Sequence, residues 1–186
     1  MTLIAGIDEA GRGPLAGPVF AAAVILNPKL KIDGLRDSKK LSAKHRVSLE
    51  YKIKSQALAY GIASASVEEI DQLNILQASL LAMRRAASML ESKIQSNDLV
   101  YVVDGNQDPG LDRQTSCIVG GDDRVPEIAA ASILAKTSRD AWMLEAALQF
   151  PGYGFEKHKG YATVAHRRAI ALLGPCSLHR KSFSWK

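Results

Sequence analysis

Leu3-Ile4-Ala5-Gly6-Ile7-Asp8-Glu9-Ala10-Gly11-Arg12-Gly13-Pro14 is the stretch around which the chain is organised. Leu3 to Ile7 is apolar throughout, the pattern of a short strand buried on both faces. Asp8 and Glu9 end that strand as adjacent carboxylates, and Gly-Arg-Gly-Pro follows at once. The glycines let a ligand or a second backbone come close, and Arg12 adds a permanent cation with a planar fork of donors. Groups that can hold a metal therefore stand beside groups that can hold a phosphate or a sugar. A lone Asp-Glu at a strand end would be no more than a charged turn; acids recurring at later element ends give this one weight. Neighbouring strand residues point to opposite faces, so Asp8 and Glu9 can share a site only where the strand ends or bends.

The clearest later strand is Leu99 to Val103, which ends in Asp104-Gly105-Asn106. An acid at the carboxyl end of a buried, parallel-type strand lies where α/β folds place their sites. Thr115 to Val119 is a short further strand. It leads through Gly120-Gly121 to Asp122-Asp123 and then to a helix predicted from Pro126 to Gln149, with proline in its first turn. Ala129, Ala130, Ala131, Ser132 and Ala135 are small enough to bring that helix close to a sheet. Asp122 and Asp123 stand near its positive end, where they are either dipole complements or ligands.

The remaining elements fill in an α/β pattern. Pro18 to Leu26 reads as a buried strand stopped by Asn27-Pro28. Asp37-Ser38-Lys39-Lys40-Leu41 forms a loop before a helix capped by Ser42 and running to about Leu58. That helix carries two apolar rows, Val47-Tyr51-Leu58 and Leu49-Ile53-Ala57. Ser38, Lys39 and Lys40 at its entrance can grip phosphates, or are the ordinary charges of a soluble loop. Tyr60 to Ser66 is a further strand, and Ser66 with Glu69 makes a capping box. Ile70, Leu73, Leu76, Leu80, Met83, Ala87 and Leu90 recur at helical spacing as a packing stripe on one or two helices, with Asn74 either a break or a contact. Pro151 to Phe155 is too rich in turn residues for an element, and a short helix follows near Thr163 to Leu173.

A chain of 186 residues, 47% apolar, can bury a core as one domain. It has no apolar run long enough for a membrane span and no secretory pattern at its start. Cys117 and Cys176 are too few and too far apart for a disulfide framework or a zinc site, which points to a reducing, cytoplasmic setting. The net charge of +5 is concentrated. Residues 29–54 hold nine Lys or Arg against three acids, and residues 157–186 hold seven and no acid. Two basic blocks around an acidic centre suit a polyanion laid across a metal site, although solvated helix faces produce such blocks too.

Asp8, Glu9, Asp104 and one of Asp122 or Asp123 are separated in sequence but able to converge. Oxygen-only ligands select hard ions such as Mg²⁺ or Mn²⁺, and a pair of such ions supports phosphodiester hydrolysis.

The blocks Gly6 to Pro14, Asp37 to Leu41, Val103-Asp104-Gly105, Ala129 to Lys136 and His158-Lys159-Gly160-Tyr161 resemble, in order, the signature blocks of bacterial ribonuclease HII. The resemblance implies a single RNase H-like catalytic domain over residues 1–186: a central mixed five-stranded sheet flanked by helices, with a small helical carboxyl-terminal segment from about residue 150 over the substrate. It implies a two-metal site for Mn²⁺ or Mg²⁺ made by Asp8, Glu9, Asp104 and, because a glycine precedes it, Asp122 rather than Asp123. It also implies that Gly11, Arg12, Gly13 and Tyr161 read the 2′-hydroxyl, with Ser38, Lys39 and Lys40 binding substrate beside them. The expected substrates are RNA/DNA hybrids and duplex DNA holding single ribonucleotides, cut on the 5′ side to leave 3′-hydroxyl and 5′-phosphate ends. Such a protein would serve ribonucleotide and primer removal as a cytoplasmic monomer with no membrane partner. After Ser182-Phe183 only three residues remain, fewer than in many relatives, so docking to a replication clamp is not implied. A Holliday-junction resolvase of the same fold would lack the ribose-reading residues. A non-catalytic nucleic-acid-binding module would be expected to lose an acid, and all four are present.

Overall fold

The computed structural model describes residues 2–35, 38 and 41–185. Five strands, β1 Leu3–Ala10, β2 Val19–Ile25, β3 Ala59–Ala65, β4 Leu99–Asp104 and β5 Thr115–Ile118, make one mixed sheet in the order β3-β2-β1-β4-β5. β1 runs antiparallel to β2, and β2 to β3, while the β1–β4 and β4–β5 pairs are parallel. Six helices surround it: α1 Ala43–Gln56, α2 Val67–Leu73, α3 Ile75–Glu91, α4 Pro126–Gln149, α5 Phe155–His158 and α6 Val164–Leu173.

Strand alternation divides the core in two. Ala21 and Ala23 of β2 face a cluster with α3 residues such as Ala82, Met83 and Ala86. Their neighbours Ala22 and Val24 face the other side, against Leu49 and Ile53 of α1 and Ala130, Ile133 and Leu134 of α4. The small residues of α4 bring it down onto the sheet. A β-carbon on Gly6 would lie 2.1 Å from the carbonyl carbon of Glu127, so only glycine lets the first turn of α4 rest on β1. That contact sets the amino end of α4 beside the carboxyl ends of β1 and β4.

The mixed five-stranded sheet with flanking helices is the architecture expected from the sequence, with local differences in β1 and α1. β1 does not stop at Asp8; its ladder with β2 continues to the Ala10–Phe20 pair. Of the two apolar rows on α1, only the one with Leu49 and Ile53 is buried, whereas Val47 and Tyr51 are 62% and 76% exposed. α1 meets α4 on one side only, which leaves the second row outside. The packing stripe lies on two helices, with the break at Asn74, whose φ is 71° and whose side chain caps α3 by accepting the Gln77 amide. Pro151 to Gly154 form no element, as expected, and the single turn α5 begins only at Phe155, after left-handed Gly154. The capping box of Ser66 and Glu69 is present as expected.

The carboxyl-terminal segment is tied back to the rest. Asp71 of α2 accepts the Lys181 and Ser182 amides and the Ser182 hydroxyl. Leu15 donates to Gly160, Gly17 to Leu178 and Arg180 to Leu15 along the backbone.

Candidate metal centre and adjoining cleft

Three of the four expected acids meet. Oxygens of Asp8, Asp104 and Asp122 all lie within 4.8 Å of one another. Each arrives by a different route. Asp8 is in the last part of β1, Asp104 is the final residue of β4, and Asp122 sits in a 3₁₀ turn, Gly121–Asp123, just before α4. Asp104 Oδ1 accepts the Gly121 amide at 2.7 Å, which holds that turn against the end of β4. Asp122 is buried at 7% exposure while Asp123 is exposed. The turn therefore directs Asp122, and not its neighbour, into the cluster.

Asp8 is 5% exposed. Its Oδ1 accepts the Glu9 amide at 2.7 Å. Burial pushes its carboxyl well above the usual carboxylate range, and the charges of Glu9 and Asp104 add to this, while the Ser132 hydroxyl opposes it. Glu9 stands beside the trio rather than in it. Its carboxyl is also raised, by burial first, and the Arg12 guanidinium pulls the other way, with Nη1 3.4 Å from Glu9 Oε1. The continuation of β1 past Asp8 separates the two side chains, as strand alternation requires.

The donor set fits a hard divalent cation. It consists of carboxylate oxygens only, gathered in a half-buried place around Asp8, whose proton affinity burial and the neighbouring Glu9 and Asp104 charges raise. A cation would remove that repulsion.

Beside the acids lies a cleft of about 220 Å³, smaller than the roughly 300–1,000 Å³ of drug-sized pockets. Glu9, Gly11, Arg12 and Gly13 form one wall, and Ser132 and Lys136 of α4 another. Tyr161, 41% exposed, also lines the cleft; a β-carbon on Gly13 would lie 4.0 Å from its ring. Lys136 Nζ and the Arg139 guanidinium lie 5.7 and 5.8 Å from the centre of that ring. The Tyr161 carbonyl accepts from His166 Nδ1 at 2.9 Å, so a buried histidine sets this loop from beneath. Ser38 also lines the cleft, but its hydroxyl is engaged with that of Ser132 at 3.0 Å. Arg46 braces the same loop by donating to the Ser38 and Leu41 carbonyls. Asp37, Lys39 and Lys40 lie outside the described residues.

Sequence reasoning missed four participants: Ser132, Arg46, Arg139 and Arg180. In the sequence Ser132 is one small residue among alanines; a hydroxyl in that stripe, one turn after Ile128, is the available signal. The three arginines gave no side-chain signal, because their partners are backbone carbonyls, close by for Arg46 and mostly distant in sequence for Arg139 and Arg180.

Residues 5–186 match the family model described as ribonuclease HII. A protein of Nitrosomonas europaea named ribonuclease HII is 58% identical over 98% of this chain and 82% of its own length. One of Dechloromonas aromatica with the same name is 56% identical over 97% and 90%. Among solved structures, the ribonuclease H2 of Pyrococcus horikoshii superposes with a TM-score of 0.78 over 99% of this chain and 95% of that one, at 23% identity. That likeness shows a shared RNase H-like fold. Among the described residues no helix is long and apolar enough to cross a membrane.

Proposed function

Because the chain belongs to the ribonuclease HII family and is a ribonuclease H acting on RNA/DNA, we propose that it cuts on the 5′ side of ribonucleotides, singly embedded in duplex DNA or in hybrids, at the Asp8–Asp104–Asp122 cluster. The observation that carries this reading is the convergence of those three carboxylates, with Asp8 next to Glu9 and bonded to Ser132, two residues that line the cleft with Gly11, Arg12, Gly13 and Tyr161.

Asp8, Asp104 and Asp122 would hold the divalent ions, Mn²⁺ or Mg²⁺, with Glu9 at their edge. When bound, a pair of such ions supplies an activated water and stabilises the leaving 3′-oxygen. The protein's own groups do the rest. Ser132 donates to Asp8 and fixes its rotamer. Arg12 holds Glu9 between the acids and the cleft. The Tyr161 ring offers a face for the sugar, and its hydroxyl is a partner for the 2′-oxygen, which distinguishes RNA from DNA. Lys136, with Lys39 and Lys40 from the loop after Ser38, supplies cations for the flanking phosphates. Water adds to the phosphorus, the bond to the upstream 3′-oxygen breaks, and 3′-hydroxyl and 5′-phosphate ends result. Residues 150–186 would cover the substrate, and the protein would act as a cytoplasmic monomer in removing ribonucleotides and primers.

The test is incubation with an RNA/DNA hybrid and with the all-DNA duplex of the same sequence, in Mg²⁺, Mn²⁺ or chelator. Cleavage of the hybrid alone, abolished by chelator, supports the reading. Cleavage that persists in chelator would exclude it.

A further inference from the structure

Arg139 and Arg180 are the largest fully buried side chains, each at 0% exposure. Burying a charge is costly unless it is paired, and an ion pair is the usual remedy. Among the described residues neither arginine forms a salt bridge with a carboxylate. Both instead donate to backbone carbonyls. Arg139 reaches Pro18 through Nε, Lys159 through Nη1 and Ala16 through Nη2, each at 3.1 Å. Arg180 reaches Gly17 through Nε, Arg12 through Nη1, and Gly11 and Gly17 through Nη2, at 2.6 to 2.9 Å. Burial lowers both guanidinium pKa values, to about 10 and about 9, and leaves both charged at neutral pH.

The direction of these bonds matters for the cleft. No peptide in the described chain is cis, and in a planar trans peptide the C=O and N–H point in opposite directions. Arg180 draws the Gly11 and Arg12 carbonyls inward. The amides on the same two peptides, those of Arg12 and Gly13, are therefore turned outward, to the wall that these residues give the cleft. Among the described residues no backbone hydrogen bond uses either amide. Arg139 lies flat against Gly11, where a β-carbon would come 2.1 Å from its Nε, and at the same time holds the Lys159 carbonyl two residues before Tyr161. Gly160 is packed as closely, since its β-carbon would meet the Ala16 oxygen at 2.5 Å.

We infer that Arg139 and Arg180 are positioning residues for ribose recognition: Arg180 turns the Arg12 and Gly13 amides toward the sugar, and Arg139 fixes the spacing between those amides and Tyr161. The inference rests on the ribose-facing reading of the cleft and adds to it the elements that hold its two walls in register. Hydrophobic side chains of similar volume would fill the same space at no electrostatic cost; what they would not do is hold six hydrogen bonds to carbonyls of residues 11–18 and a seventh to Lys159.

Arg180→Lys keeps the charge and loses the fork. Its affinity in chelator is to be measured for a duplex with one ribonucleotide and for the all-DNA duplex, with thermal melting to confirm folding. A cooperative melt, about tenfold weaker binding of the ribonucleotide duplex, which corresponds to about one net hydrogen bond, and less than twofold change for all-DNA are expected. Arg180→Ala should regain cleavage when guanidinium is added at millimolar concentration and not with methylammonium. Wild-type discrimination in a folded Arg180→Lys, equal weakening toward both duplexes, or equal rescue by methylammonium would overturn the inference. If the wild-type protein itself fails to distinguish the duplexes, the ribose reading of the cleft fails instead. The arginine clamp is then judged by the Arg12 and Gly13 amide resonances, which must move in Arg180→Lys whatever the substrate and would refute it if unmoved.

Discussion

Asp104 Oδ1 accepts the Gly121 amide at 2.7 Å, and through that bond the last residue of β4 selects which of two neighbouring acids enters the site. Asp122 lies in the cluster, and Asp123 is exposed. Asp122→Asn should therefore lower kcat by orders of magnitude. Asp123→Asn should behave as a change near a helix start, worth well under about 1 kcal/mol. Steady-state kinetics on one substrate settles the pair, and a reversed order would place the fourth acid one residue later.

Asp8 is held at a cost to the metal-free protein, since its carboxyl is pushed well above the usual range by burial and by Glu9 and Asp104. A carboxyl whose folded pKa is raised keeps its proton longer in the folded state. Stability is lost as pH rises from the unfolded value near 3.8 toward the folded one. Asp8→Asn should melt above wild type in chelator at neutral pH, by a margin that grows by up to about 1.4 kcal/mol per pH unit across that window. The margin should vanish near pH 4 and be reversed by Mn²⁺, which favours the protein that binds it. Melting curves at several pH values decide this; a variant that melts lower in chelator at neutral pH would make Asp8 a structural partner.

The histidines beneath Tyr161 carry a pH dependence of their own. His179 Nδ1 accepts the Cys176 amide, so its Nε2 proton faces His166 Nε2 at 3.1 Å, and His166 Nδ1 donates to Tyr161. Every ring nitrogen in that path is used with both rings neutral. Burial lowers His166 from 6.5 to about 4, so the unfolded chain takes up a proton between those values while the folded one does not. Stability should fall as pH drops from about 6.5 to about 4, by up to about 1.4 kcal/mol per unit for this residue. Urea denaturation at stepped pH should show a shallower slope in His166→Gln; an unchanged slope would remove His166 from the effect.

Tyr161 separates into ring and hydroxyl. Tyr161→Phe should lose about 1 kcal/mol in kcat/KM on a single-ribonucleotide duplex, the value of one net hydrogen bond. Tyr161→Ala should lose on the order of 1–3 kcal/mol more, from stacking. Affinity for all-DNA duplex should change little. Equal weakening toward both duplexes would show a residue that grips the duplex without reading the sugar.

Much of this was legible from residues alone, for physical reasons. The strands at Leu3 and Leu99 are short apolar runs that end in acids, Thr115 to Ile118 leads into a pair of glycines, and α4 begins at a proline and carries a small-residue face. Those signals are local, and they placed Asp8, Asp104 and Asp122 at element ends. The depth of β1 was not legible, because the Ala10–Phe20 pairing depends on β2 rather than on residues near Glu9. Nor was the exposure of Val47 and Tyr51, which depends on α4 covering only one side of α1. The Arg139 and Arg180 clamp was hidden for the same reason: all its acceptors but Lys159 lie more than a hundred residues away, and all are backbone atoms that no side-chain pattern announces.

The most direct measurement uses a DNA duplex holding one ribonucleotide, labelled at each end of the cut strand and incubated with Mn²⁺ or Mg²⁺. A single cut immediately 5′ of the ribonucleotide, leaving a 3′-hydroxyl that a polymerase can extend, is expected, with none in Asp8→Asn or Asp104→Asn although both still bind the duplex. Cleavage 3′ of the ribonucleotide, a 2′,3′-cyclic end, or near-normal turnover in either variant would contradict cleavage at the Asp8–Asp104–Asp122 cluster.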